Sequence, residues 1–324
     1  MKKFIMPILL SIGFIFSLYA LTLGATEFTL KEVFLGLIGK GEEQVIIIIR
    51  EMRLPRIIMA LLIGMMLASS GTVVQSLFQN PLADPYIIGI SASATFGAVL
   101  AYVLKLSSLY YGIFAFICSL LSSFVIFALT GMKGRLNIST LLIMGIAISS
   151  LLGAFTSFTM YFIGEDSFKI IMWTMGYLGD ATWEKVRILS IPLLISIIYF
   201  YSLRHELDAL LNGDEEAHSL GVNVEKTKRN LLIVSSLIVA FSVAFSGMIG
   251  FVGLIVPHTL RLIVGSSNKK LLPIVTLAGG VFLLFCDTIA RKILAPIELP
   301  IGIVSSFLGA PFFIYLALKS RKGM

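Results

Sequence analysis

The sequence predicts an all-α, polytopic membrane protein with ten crossing helices. Three observations point there. The chain is 57% hydrophobic and only 13% charged over 324 residues, whereas soluble proteins carry about 25% charged residues. The apolar residues fall in long runs, and a bilayer crossing needs about 20 of them. The charges fall between the runs, so the net charge of +7 reflects loop topology rather than a nucleic-acid surface.

The runs are, in order, 4–24, 57–78, 86–104, 111–130, 138–163, 188–203, 231–246, 249–264, 271–290 and 299–318. The first follows Lys2 and Lys3 and has the basic start of a signal peptide. Its apolar core, Phe4 to Gly24, outruns the ~7–15 residues of such a peptide, so it counts as a span. The second follows RLPR, residues 53–56. Pro55 suits a first helical turn, where its missing N–H is not needed. The run stops at Gln79, Asn80 and Pro81, and Pro81 and Pro85 bracket a tight polar break. Its interior is rich in small residues: Gly64, Ala68, Ser69, Ser70 and Gly71. Such residues let helix backbones approach closely in lipid. This helix is therefore expected inside the protein, with a charged rim at one end and a polar turn at the other.

Residues 231–264 are too long for one crossing of a ~30 Å core at about 1.5 Å per residue. Gly247, Gly250 and Gly253 mark the break, and Pro257 adds a second irregularity. Irregular backbone at that depth requires surrounding protein to satisfy its polar groups.

An even number of spans puts both termini on one side. That side carries Lys133, Arg135, Lys226, Lys228, Arg229, Lys269, Lys270, Lys319, Arg321 and Lys322, so the positive-inside rule makes it cytoplasmic. On the other side, residues 25–53 contain VIIIIREMR, too short to cross. It lies at the surface or leads into the second span. Residues 204–230, RHELDALLNGDEEAHSLGVNVEKTKRN, are the longest cytoplasmic segment. Asp214, Glu215 and Glu216 favour a helix start, and Gly221 a stop. One short helix, Asp214 to Leu220, is expected there. No linker divides the chain, so 1–324 reads as a single transmembrane domain.

Catalytic patterns are missing from the sequence. There is no GxxxxGK[ST] phosphate loop and no GxSxG elbow. His205, His218 and His258 are far apart, so no metal site is expected. Cys118 and Cys286 lie in apolar runs and read as buried thiols. Asp287 and Arg291 are spaced to pair on one helix face. Ion-coupled carriers usually place a carboxylate or histidine in the membrane, and the span interiors here hold almost none. Sodium held by backbone carbonyls keeps a stand-alone secondary transporter as the alternative. If the chain is part of a pump, its energy comes from another subunit through a cytoplasmic contact, and 204–230 is the candidate.

Five separated motifs carry a family resemblance. RLPR with GxxLAxSGxxxQ, then NPLADP, GDEEAHSLGVNV (213–224), GFVGLIVPHTLRLIVG (250–265) and ELPIGIVSSFLGAPFFIYL (298–316) occur in that order. Together they resemble the FecCD-type permeases of ATP-binding-cassette importers for iron–siderophores, haem and cobalamin. The resemblance implies a type II importer permease in a bacterial or archaeal cytoplasmic membrane. It implies a homodimer, two ATPase subunits that use ATP and Mg, and an extracytoplasmic substrate-binding protein. No cofactor is implied for this chain itself.

The resemblance also suggests roles. Gly213, Asp214, Glu215, Glu216, Ala217, His218, Ser219, Leu220 and Gly221 would contact the ATPase, a solvated loop being the plainer alternative. Arg53, Arg56 and Arg291 would face outward and meet acids on the binding protein; lipid-headgroup anchoring is the plainer alternative. Asn80, Leu82 and Ser139 would line a cytoplasmic gate, with simple turn capping the plainer role for Asn80. Gln79 departs from the Arg that many relatives carry, which weakens any cationic role at that turn.

Overall fold

The computed structural model describes residues 5–107, 109–131, 138–164 and 167–321. Lys2, Lys3, Lys133, Arg135 and Lys322 fall outside them. Among the described residues all regular structure is helical. α1 (Ile5–Thr22) and the short α2 (Leu30–Ile38) precede α3 (Glu43–Ile47), a π-helical segment (Ile48–Arg53) and α4 (Leu54–Leu77). A 3-10 turn (Pro85–Ile88) opens α5 (Ile90–Val103). Then come α6 (Leu109–Gly131), α7 (Ile138–Ile163), α8 (Ser167–Thr174), α9 (Trp183–Ser202), α10 (Arg204–Asn212) and α11 (Asp214–Ser219). α12 (Val224–Ser246), α13 (Val252–Val264), α14 (Asn268–Lys292) and α15 (Ile301–Arg321) complete the chain.

Ten apolar helices match the ten expected runs, but not all as full crossings. Among the described residues, seven are long enough to span alone by length and composition, while Ile90–Val103 and Val252–Val264 are shorter. α5 has 14 residues and α13 has 13, so each is about 20 Å long. The 86–104 and 249–264 runs lose residues to turns at Pro85 and at the 247–251 bend. That bend lies where the glycines predicted it. Gly247 and Phe251 both have φ of 68°, and a Cβ on Gly247 would overlap the carbonyl oxygen of Trp173.

The segment before the second span leads into it. Glu43–Leu77 forms one 35-residue rod, about 52 Å long. At the end of its π-helical segment Leu54 N bonds to Ile49 O, and Pro55 has no N–H to offer the next carbonyl, that of Arg50. The indole Nε1 of Trp183 donates to Arg50 O at 2.9 Å.

α4 is the hub, packed most extensively on α14 and also against α12, α13 and α9. Its glycines set the distances. A Cβ on Gly64 would overlap Gly279 O of α14, and one on Gly71 would overlap Gly253 O of α13. Gly97 meets α6 and Gly112 meets α12 in the same way. The hydroxyls of α4 bury at little cost because they bond back to their own helix. Ser69 donates to Met65 O at 2.7 Å, Thr72 to Ala68 O at 2.9 Å and Ser76 to Thr72 O at 2.9 Å.

Residues 204–230 hold two helices before α12 where one was expected. Gly213, at φ 126°, separates α10 from α11. α10 buries Leu207 and Leu210 and packs against α4 and α14. Its Asp208 caps α14, accepting from Asn268 N at 2.6 Å, Asn268 Nδ2 at 2.8 Å and Ser267 Oγ at 3.2 Å.

Gly64→Val should lower the melting temperature of the detergent-purified protein sharply, because overpacking costs about 1–3 kcal/mol or more. Gly153 on α7 has open space around it, so Gly153→Ala should leave melting unchanged. Equal melting for both variants would contradict the close approach.

Candidate functional site

At one end of α4 three arginines converge. Arg53 donates through Nη1 to Leu21 O at 2.6 Å and through Nη2 to Thr26 O; its guanidinium lies 4.6 Å from the Phe28 ring centroid. Arg56 donates through Nε to Asp287 Oδ1 at 3.0 Å and through Nη1 to both Glu298 oxygens at 2.9 Å. Arg291 pairs with Asp287 Oδ2 at 3.0 Å and donates to Leu23 O at 3.0 Å. The predicted Asp287–Arg291 pairing is present.

This geometry turns the three arginines toward partners within the chain. Arg53, Arg56 and Arg291 are 7%, 9% and 4% exposed, and each is engaged within the chain. They fasten α1, α4, α14 and the connection before α15 to one another. Buried guanidinium groups need such partners, since an unpaired buried charge is costly. Glu298 was not singled out from sequence: it lies 242 residues from Arg56, and no local pattern links them.

At the other end of α4 the polar break forms a tight turn. Asn80 Oδ1 accepts from Leu82 N at 2.9 Å, so Asn80 caps the turn. Leu82 is 44% exposed. Gln79, at φ 49°, donates to Leu210 O at 3.0 Å, a tie to α10 that requires no cation. Asn80 and Leu82 therefore share one turn. Ser139 sits exposed in the first turn of α7, and α7 packs on the neighbouring 3-10 turn. Asp84 caps that 3-10 turn, accepting from Tyr86 N at 2.8 Å, and burial pushes its carboxyl up to about 6. Tyr86 reaches the 247–251 bend through Ile249 O at 3.4 Å.

A cavity of about 630 Å³ lies where residues 174–175, the 247–251 bend and α15 meet. Met175, Met248, Gly302, Ser306, Phe307 and Ile314 are among its lining. Its wall is cross-linked by backbone bonds: Tyr177 N donates to Ser246 O at 2.8 Å, Ile301 N to Gly176 O at 3.0 Å and Gly302 N to Met175 O at 3.0 Å. The lining is mostly apolar, and among the described residues no group of His, Cys, Asp or Glu could hold a metal.

In the 204–230 segment, Gly213–Gly221 builds α11 and its flanks. Ala217 is fully buried, while Glu215, Glu216, His218, Ser219 and Leu220 are exposed. Gly221, at φ 82°, ends the helix as expected. Asp214, with 51% of its side chain exposed, pairs with Lys228, Nζ–Oδ1 at 2.5 Å. Lys228 and Asp208 were not recognised from sequence as structural partners of this segment.

A helical membrane core, an apolar cavity and an exposed acidic helix at one face define a transport permease. Residues 9–319 match the FecCD transport family. The chain is 42% identical over 278 residues to the cobalamin import permease BtuC of Halobacterium salinarum, covering 85% of this chain and 74% of that one. It is 42% identical over 277 residues to the hemin transport permease HmuU of Yersinia pestis, covering 83% of each. A solved metal-chelate-type ABC transporter in an inward-facing conformation superimposes with a TM-score of 0.85 at 33% identity, over 97% of this chain and 99% of that one. The chain belongs to the FecCD transport family, and it is the non-catalytic permease subunit of an ABC importer. Such a permease works with an ATPase and a binding protein.

Asp287→Asn removes the charge shared by Arg56 and Arg291 and should cost about 3–5 kcal/mol, read as a large fall in melting temperature; unchanged melting would contradict the pairing. Asp84 binds more protons folded than unfolded between about pH 4 and 6, since its folded pKa is the higher. Wild-type stability should therefore fall, relative to Asp84→Asn, as pH rises through that window. Parallel melting curves would refute the burial of that carboxyl.

Proposed function

We propose that this chain is one half of a homodimeric pathway that carries a cobalamin, haem or iron-chelate substrate inward across a bacterial or archaeal cytoplasmic membrane. Both termini face the cytoplasm. A binding protein delivers the substrate outside, and two ATPase subunits drive the cycle from inside. The large apolar cavity, with serine and threonine rather than charges among its polar groups, suits a bulky chelate better than a bare ion. α7 exposes an apolar face that includes Phe155 and Phe158. That face suits a second copy or lipid.

The observation that carries the ATPase contact is α11. It rests on a buried Ala217 yet presents Glu215, Glu216, His218 and Leu220 to the outside, and α10 beneath it is fixed to α4 and α14. An exposed acidic knob on a rigid base is suited to a cleft in a partner, and a lone carrier does not require one. The buried rim arginines act in this scheme by shaping the outer surface rather than by direct ion pairing. The turn at Asn80 and Leu82, with Ser139, forms the cytoplasmic gate.

The test is reconstitution into liposomes with the partner ATPase and binding protein. Cobalamin, haem and ferric siderophore uptake should require internal ATP-driven turnover. Uptake driven by a sodium or proton gradient with the permease alone would overturn the proposal. Glu215→Lys with Glu216→Lys should strip the ATPase from the purified complex, and retained ATPase would refute the contact.

A further inference from the structure

Asp214 and Lys228 join the exposed α11 to the long α12. Lys228 is 3% exposed, and its Nζ lies 2.5 Å from Asp214 Oδ1 and 2.6 Å from Oδ2. Isolated surface ion pairs contribute little; here the carboxylate keeps 51% of its side chain exposed, but the ammonium is buried, and a buried charge without its partner is unfavourable. The pair therefore holds the first residue of α11 at a fixed point on α12. Ala217 packs beneath α11 with no exposure, and Val222 N donates back to Ala217 O at 3.0 Å. α11 thus has an electrostatic anchor at one end and a packed seat behind it.

α12 can carry a displacement. From Lys228 to Ser246 it contains neither proline nor glycine, a rigid length of about 27 Å. Its far end is bonded to the cavity wall. Ser246 O accepts from Tyr177 N, and the adjoining Met175 and Gly176 carbonyls accept from Gly302 N and Ile301 N at the start of α15. Met248, just beyond α12, lines the cavity, and its sulfur accepts from Ser91 Oγ at 2.6 Å.

We infer that the Asp214–Lys228 ion pair is the positioning link that makes α11 and α12 one body, so that a push on α11 reaches the cavity wall at Ser246–Met248 and the start of α15. The inference rests on the reading of Gly213–Gly221 as the ATPase contact and adds how that contact is transmitted. Lys228 cannot itself touch the ATPase, because it is buried under α11. Its effect must pass through Asp214.

Lys228→Met tests it in the reconstituted complex with ATPase and binding protein. The ATPase should still co-purify, and ATP should still be hydrolysed. Substrate taken up per ATP should fall roughly two- to thirtyfold, the range of mutations that act on coupling alone. Lys228→Arg, which keeps the charge at the same place, should recover most of the ratio. An unchanged ratio in Lys228→Met, or no recovery in Lys228→Arg, overturns the link. Loss of the ATPase from Lys228→Met also overturns it, by making the pair a determinant of docking. An ATPase still bound by the Glu215→Lys, Glu216→Lys variant sinks the contact itself and is a separate result. Spin labels at positions 219 and 225, with Cys118 and Cys286 replaced by serine, give a measurement that needs no change at Lys228. Their separation should stay constant between nucleotide-free and ATP-bound complexes, and a change between those states overturns the rigid unit.

Discussion

The close approach of α4 to α14 and α13 is the constraint on which the rest of the fold depends. Lipid tails are as apolar as leucine, so helices in a membrane gain little from hydrophobicity when they meet. They must gain instead from contact, and contact requires that backbones come near. Gly64 against Gly279 and Gly71 against Gly253 provide that nearness. Once α4 is seated there, Gln75 reaches Leu254 O at 3.0 Å. The polar turn at its end meets α10 through Gln79, and Tyr86 reaches the bend at Ile249. The cavity lies where it does because the short α13 and its bend are held against a helix that cannot move away.

The rim arginines illustrate a different balance. At the end of an apolar run, an arginine beside a proline reads the same from sequence whether it faces water or turns inward. Their partners decide, and those partners are remote: Asp287 and Glu298 for Arg56, the carbonyls of Leu21 and Thr26 for Arg53. Three guanidinium groups against two carboxylates leave one positive charge in excess, and backbone carbonyls of the 20–26 segment absorb it. The cluster therefore ties this end of the bundle together from within. Only Glu298, with 31% of its side chain exposed, opens appreciably toward the surface.

What was legible followed from local physics. Ten apolar runs, the proline-bounded turn at 79–85, the glycine break at 247–253 and the Asp287–Arg291 spacing are all properties of neighbouring residues. The glycines of α4 were readable as small residues for packing, although not their partners. What was not legible depends on distance in the chain. Trp183 completing Arg50, Asp208 capping α14 and Lys228 anchoring Asp214 each join segments with no shared periodicity. α10 was missed for another reason: its buried leucines sit among charges, so the segment looked like solvated loop. The lengths of α5 and α13 were overestimated because apolar residues in a turn look the same as apolar residues in a helix.

Short helices also say which parts can move. Helices of about 20 Å cannot cross a ~30 Å core, so α5 and α13 end at membrane depth, where irregular backbone survives only against protein or a filled cavity. α13 is fixed to α4 by Gly71 and Gln75, and α4 is fixed to α14. Those three helices form a unit that resists rearrangement, since separating any pair would expose backbone and small residues with nothing to replace the contact. α12 also packs on α4, where Ser70 donates to Ser235 O at 3.4 Å, while its far end is bonded to residue 177 and, through residues 175–176, to α15. The end of α12, residues 175–177 and the start of α15 are tied to one another by backbone bonds and border the cavity, so a change in cavity shape must move them together against α4, α13 and α14.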